Sequence, residues 1–307
     1  MLKGTRSISL GKLTWIDIKD PEPKLLAKLQ KQHGFHELDI EDCLSENQRS
    51  KIDDYDDYLF IILHIPYYDK RHQRIISEEV DVFIKNNLVV TVHWGALKTL
   101  RTLFDDCKSS AAKRKEFMSS GSGFLLYEII DQLYSAGFPM LDKMERAVTS
   151  LERDVFSLSG KHDMLKDILI TKKNIITFRR VIAPQRTVIA QIEHKNKKFL
   201  PDSLEIYFDD VVDKVEKIWN NLESLKDLIE SLQDTNESII SHTTNNVIKI
   251  LTVFSVVMLP LTFLTGLYGM NVALPLAENK GTFLILTGAM IGIVLLMLGL
   301  FKYKRWI

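Results

Sequence analysis

Cysteine is scarce: Cys43 and Cys107 are the only two in 307 residues, and they lie far apart in no CxxC pair. This excludes a disulfide framework and a cysteine-built zinc site, and it fits a reducing compartment for most of the chain. No GxxxxGK[ST] segment occurs, so nothing points to an ATP-driven pump, and no nucleophile–base pair suggests a hydrolase. Net charge is also absent, with 40 Lys+Arg against 40 Asp+Glu, which removes any general attraction for nucleic acid. Met1 to Asp20 contains no apolar run of signal-peptide length, so no export is expected from that end. The eight histidines are scattered. His33 and His36 flank Gly34-Phe35 at i,i+3, but no further ligand follows at zinc-site spacing, so a loop or capping role is the better reading.

The zero net charge hides an asymmetry. After Asn246 the only acid is Glu278, set against Lys249, Lys280, Lys302, Lys304 and Arg305, so residues 247–307 carry +4 and residues 1–246 carry −4. Ile250 to Ala277 and Gly281 to Phe301 hold no charged residue or histidine. Each stretch exceeds the roughly 20 apolar residues needed to cross a bilayer, so two membrane spans are expected, at about 247–268 and 282–302. Lys302, Lys304 and Arg305 directly follow the second span, whereas the loop between spans balances Lys280 with Glu278. The positive-inside rule then places both termini in the cytoplasm and the loop near Asn271 to Lys280 outside.

Residues 1–120 read as an α+β domain. Glu22 to Gln32 and Leu38 to Leu44 look helical, while Trp15 to Ile18 and Tyr58 to Ile65 look like strands. Glu79 to Ile84 and Leu88 to Val92 form a hairpin pattern around Asn86-Asn87. A helical region, 121–246, follows the Gly121-Ser122-Gly123 joint, and 247–307 is the membrane domain. The spacing predicts long helices over Phe124 to Ser157 and Met164 to Glu193, separated at Ser159-Gly160, with Pro184 kinking or bounding the second. Leu204, Phe208, Val211, Val215, Ile218, Leu222, Leu225, Ile229 and Leu232 form a heptad seam. No proline interrupts Asp202 to Leu259, so one helix is expected to run from the large domain into the first span, on the order of 85 Å.

Asn245, Ile248, Thr252, Ser255, Leu259 and Thr262 share one face of that helix. On spacing alone, a helix–helix contact is the commoner fate of such a face and a water-lined pore wall the alternative. The span closes on Thr265-Gly266-Leu267-Tyr268-Gly269-Met270-Asn271, with one more span and a basic Lys-Tyr-Lys-Arg-Trp tail after it. Glu41-Asp42-Cys43-Leu44, Gln48-Arg49-Ser50-Lys51, Tyr58-Leu59-Phe60, Tyr207-Phe208-Asp209-Asp210 and Asn245-Asn246-Val247-Ile248-Lys249 precede it in order. This ordered set resembles the CorA-type metal ion transporters, the two-span Gly-Met-Asn family, over most of the chain. The outer loop departs from the family's better-known form, since Val-Ala-Leu-Pro-Leu-Ala-Glu stands where many members carry Met-Pro-Glu-Leu.

The resemblance implies a funnel-shaped homopentamer in the cell membrane that passes divalent cations, Mg²⁺ first, down the membrane potential. It implies an outer ring of Gly269, Met270 and Asn271 that receives the hydrated ion, and a pore lined by Asn245, Ile248, Leu251, Leu259 and Thr262. It also implies a regulatory Mg²⁺ between Asp210, with Asp213 nearby, and Asp42, with Glu41, of a neighbouring subunit. A Co²⁺, Ni²⁺ or Zn²⁺ transporter of the same fold is the alternative, and a membrane-anchored coiled-coil scaffold is the alternative of another class. The acids of 203–237, among them Asp209, Glu216, Glu223, Glu230 and Glu237 at intervals of seven, otherwise read as a solvated face.

The charge pattern makes the topology testable. A cysteine introduced by Ala277→Cys is expected to react with an impermeant reagent applied outside intact cells; labelling only after permeabilisation would reverse the orientation.

Overall fold

The computed structural model describes residues 4–45, 48–156, 164–194, 199–272, 281–304 and 306. The Ser159-Gly160 break, Ala277, Glu278, Lys280 and Arg305 lie outside the described residues. The chain divides into two compact units, Met1–Gln233 and Asp234–Ile307.

The first unit is built on a six-stranded sheet of β1 (Thr5–Leu10), β2 (Leu13–Lys19), β3 (Lys51–Asp54), β4 (Leu59–Asp69), β5 (Arg74–Lys85) and β6 (Leu88–His93), in the order β1-β2-β6-β5-β4-β3. All pairings are antiparallel except β2 with β6. The hairpin expected around Asn86-Asn87 is present, with Ile84 opposite Val89. The edge strands β1 and β3 escape the sequence pattern because each has few apolar side chains; pairing with a neighbour makes them strands.

Alternation along the central strands divides two cores. Trp15, Ile61, Leu63, Val80, Val82 and Val89 point to one face, and Ile18, Phe60, Ile62, Phe83, Val90 and Val92 to the other. On the second face lie α1 (Pro23–His33) and α2 (Glu37–Asp42), through Leu25, Leu26, Leu29 and Ile40. The first face is covered by α3 (Lys98–Ser109), α4 (Ala111–Met118), α5 (Ser122–Ser135), α6 (Phe138–Phe156) and α7 (Met164–Glu193).

The single helix expected from Phe124 is two. Gly137 N–H turns back to the Tyr134 carbonyl at 2.8 Å, and Pro139 has no N–H with which to extend the ladder, so α5 ends and α6 starts afresh. Pro184, by contrast, neither ends nor bounds α7, which continues through it. After a 3₁₀ turn at Asp202–Leu204, α8 runs unbroken from Glu205 to Tyr268, as the seam predicts. All nine seam residues are buried in the same core as the first sheet face. The second unit contains the rest of α8 and α9 (Thr282–Tyr303); both helices include an apolar stretch long enough to cross a membrane, almost wholly exposed.

Charge is buried inside the sheet. Asp17 of β2 takes hydrogen bonds from Arg6 Nη2 and Thr91 Oγ1, each at 2.7 Å. His93 of β6 lies with Nε2 3.2 Å from Asp17 Oδ1 and Nδ1 3.6 Å from Glu78 Oε1, charge contacts rather than aligned hydrogen bonds. Burial works against the imidazolium, but the two carboxylates outweigh it and push the His93 pKa up to about 9. Burial likewise opposes ionisation of Asp17, yet His93, Arg6 and Thr91 hold its pKa below the ordinary value.

A raised histidine pKa stabilises the fold fully below the unfolded value of about 6.5, and the gain is lost as pH rises through about 9. The effect is on the order of 3 kcal/mol at most. Thermal unfolding of the full chain in detergent is therefore expected to show a falling Tm between pH 7 and 10, with a smaller fall in His93→Gln; equal slopes would remove His93 from the account.

Candidate functional site

Three anchors hold the acids of α2 in place. Asp39 is buried, and its carboxylate accepts hydrogen bonds from Tyr55 at 3.0 Å and Tyr58 at 2.7 Å. Burial raises its pKa despite these two bonds. Cys43, the residue after α2, is buried against the sheet. Beside it Asp81 of β5 is deeply buried, and burial, with the Glu79 carboxylate next to it, pushes its pKa well above the ordinary value.

With α2 fixed, Glu41 is exposed, and Asp42 is held by Lys51 Nζ at 2.7 Å. The same ammonium reaches Asp53 at 2.6 Å, and the two carboxylates raise its pKa in spite of burial. Lys51 therefore stands where a cation between Asp42 and Asp53 would stand.

Asp210 and Asp213 lie near the start of α8. Asp210 keeps 61% of its side chain exposed and touches Lys214 at 3.6 Å, while Lys214 is drawn towards Asp131 by a much closer pair. Asp213 is exposed. Among the described residues no group of three or more His, Cys, Asp or Glu is placed to hold a metal ion, so the four candidate acids do not converge within one chain.

Three acids of the heptad row, Glu216, Glu223 and Glu230, face bases of α7 and not solvent alone. Arg186 Nε bonds Glu216 at 2.6 Å, Arg179 pairs with Glu223, and Lys172 approaches Glu230 at 3.6 Å. Lys172, Arg179 and Arg186 themselves recur every seven residues on α7, so the antiparallel helices match charge to charge. Trp219 stacks between the Arg179 and Arg186 guanidinium groups, 5.0 and 4.9 Å from its ring centre. That basic repeat was the available signal in the sequence. It also sets Asp209, Asp210 and Asp213 apart: among the described residues none of the three is paired with a base of α7.

On the second half of α8, Asn245, Ile248, Leu251, Leu259 and Thr262 are all exposed. The hydroxyls of Thr252, Thr262 and Thr265 donate to the carbonyls of Ile248, Met258 and Leu261 at 2.8, 2.9 and 3.0 Å. Their protons are thus used within the helix, and the oxygens present only lone pairs outward. At its end, Gly269 N–H bonds the Thr265 carbonyl at 2.9 Å. A methyl group at Gly269 would come within 3.0 Å of that carbonyl, which accounts for glycine there. Gly269, Met270 and Asn271 are exposed just beyond the last turn.

A long helix closing on this tripeptide, followed by one further apolar helix, can be compared with known proteins. The family profile described as CorA-like Mg2+ transporter protein matches residues 11–305. The chain belongs to this family. It is 28% identical over 297 residues to the cobalt/magnesium transport protein CorA of Thermotoga maritima, covering 96% of this chain and 83% of the relative. The zinc transport protein ZntB of Yersinia enterocolitica is 23% identical over 301 residues, covering 95% and 88%. The complete CorA magnesium transporter structure from Methanocaldococcus jannaschii superposes with a TM-score of 0.82 at 24% identity, over 98% of this chain and 94% of that one. The α+β unit, the unbroken α8 and the two C-terminal apolar helices are therefore the CorA fold.

Proposed function

We propose that this CorA-family chain assembles as a homopentameric Mg²⁺ channel of the cell membrane, with both termini cytoplasmic and Mg²⁺ as cargo. The carrying observation is the chemistry of the α8 face. It has no Asp, Glu, His or Cys between Asn245 and Asn271, and its threonine oxygens offer acceptors only. Mg²⁺ gives up water reluctantly, so a path that accepts hydrogen bonds from the ion's waters suits the hydrated ion. A ring of carboxylates would hold a divalent cation too firmly for release. Ile248, Leu251 and Leu259 supply apolar constrictions that close by dewetting, and Asn245 and Thr262 supply polar rests between them. Five copies of Asn271, with the Gly269 carbonyls, form the outer ring.

The driving force needs no nucleotide. A divalent cation crossing ~100 mV, inside negative, gains roughly 4.6 kcal/mol, enough for about a thousandfold accumulation.

The acids of the first unit act as the sensor. Asp210 with Asp213 on one subunit meets Asp42 with Glu41 on the next; their hard oxygens suit Mg²⁺, and without it they repel. Loss of cytoplasmic Mg²⁺ then loosens the subunit interface and favours the open state. Lys51 holds Asp42 in place while partly neutralising it, which keeps the site weak enough to respond at cellular Mg²⁺ levels.

In proteoliposomes offered Mg²⁺, Co²⁺, Ni²⁺ and Zn²⁺ side by side, the wild type is expected to take up Mg²⁺ fastest. Asn271→Ala should reduce uptake at least about tenfold without dispersing the oligomer, since all five amides leave together. Near-normal uptake by the assembled variant would remove the outer ring; faster Zn²⁺ than Mg²⁺ uptake would replace the cargo.

The sensor is tested separately by current at low and at millimolar internal Mg²⁺. Asp210→Asn should flatten the Mg²⁺ dependence while flux persists; an unchanged dependence would return Asp210 to the solvent-facing acids.

A further inference from the structure

Helix α7 carries a second basic row that no acid among the described residues pairs with. Lys172, Arg179 and Arg186 meet the acids of α8, but Lys173 and Arg180, each one residue further round the helix, turn away from α8. They line a cavity of about 870 Å³ between α7, the start of β5 and the segment leading into β3, where Arg49 and Arg74 join them. All four are exposed, and among the described residues none of the four is in an ion pair. Glu79 accepts a hydrogen bond from Gln48 N–H at 2.8 Å and lies 3.7 Å from His64, and Gln48 and His64 are both residues of the cavity wall.

The walls are fixed by bonds at both ends. Asn174 of α7 accepts from Ile75 N–H at 2.9 Å and donates to the Gln73 carbonyl at 3.3 Å. Gln185 of α7 donates to Ser50 Oγ at 2.7 Å. Four like charges are therefore held around one space by a scaffold that does not depend on them. Their mutual repulsion is relieved by an anion, and guanidinium forks match phosphate oxygens in pairs.

We propose that this cavity binds a soluble polyphosphate, through a chain of phosphate groups carrying several negative charges. The volume exceeds what one phosphate fills, and three arginines with a lysine call for more than the two charges of a single phosphate group. Among the described residues His64 is the only aromatic ring in the lining, so a stacked base contributes little and the phosphates supply the recognition. The phosphate chain can come from an inorganic polyphosphate or from a nucleoside triphosphate. The site lies wholly within the first unit and needs no ion conduction, so it stands or falls independently of the channel reading.

The test is calorimetric titration of the full-length protein in detergent, without Mg²⁺ and with a chelator, using sodium tripolyphosphate, ATP and orthophosphate as probes. Tripolyphosphate should bind, orthophosphate at least about tenfold more weakly. Binding should weaken about tenfold for each guanidinium removed, hence about a hundredfold in Arg74→Ala/Arg180→Ala. The single exposed Lys173→Glu should weaken it at least about tenfold without disturbing the fold. Lys24→Ala, on α1 across the sheet, should bind as the wild type does. Equal affinity for tripolyphosphate and ATP supports recognition of the phosphate chain alone, and tighter ATP binding assigns the nucleotide as the source. No binding of either at millimolar concentration, or unaltered binding in Lys173→Glu, overturns the proposal.

Discussion

The pairing of α7 with α8 decides which charged groups of the first unit are matched and which are left over. Ile168, Ile175, Phe178, Ile182 and Ile189 of α7 share one buried core with the nine seam residues of α8 and with one face of the sheet. Apolar burial supplies the stability of such a contact but is indifferent to a slip of one turn. The charge ladder is not: Arg186 with Glu216, Arg179 with Glu223 and Lys172 with Glu230 are satisfied together, and because both rows repeat every seven residues a shift of one turn satisfies none of them. Each half-exposed pair adds little energy, yet a slip would set all three bases out of reach of their acids. Through that register Asp210 and Asp213 are left over at the start of α8, and Lys173 and Arg180 are left over on the far side of α7.

Helix α8 has to satisfy two solvents with one backbone. Up to Leu232 its apolar residues form a narrow stripe beneath acids and lysines; beyond Lys249 they surround the helix and charge disappears. A continuous helix suits both settings, because its hydrogen-bond ladder satisfies the backbone groups that lipid cannot solvate, save for the one donor that Pro260 lacks. Glycine becomes useful only at the end, where Gly269 lets the chain turn close over the Thr265 carbonyl and sets Asn271 beyond the last turn.

A single chain holds its acids apart. Asp42 is tied to Lys51, Asp39 to two tyrosines, and burial disfavours ionisation of Asp81, so the acids around α2 are restrained rather than free. Charge restraint of this kind is what a responsive metal site needs, since a full set of free carboxylates would bind Mg²⁺ too firmly to release it. The basic cavity on α7 is the complementary case, charge assembled and left unmatched.

Periodicity and the absence of charge were enough to show in sequence the α8 seam, the β5–β6 hairpin and the two apolar spans, because each is written in neighbouring residues; the tripeptide Gly269-Met270-Asn271 stood out through the family resemblance. The edge strands β1 and β3 were not legible, since a polar segment becomes a strand only when a partner offers its backbone. The break at Gly137-Phe138-Pro139 is hidden by the apolar rhythm that continues on either side of it, although the proline stands in plain view. The acids of α8 were readable as a row but not as partners. Whether a glutamate faces water or an arginine depends on which helix lies opposite and in what register, and only the packing of α7 against α8 decided that Glu216, Glu223 and Glu230 are paired while Asp210 and Asp213 are left open, because contacts between residues distant in sequence are chosen by the shape of the whole core and not by local spacing.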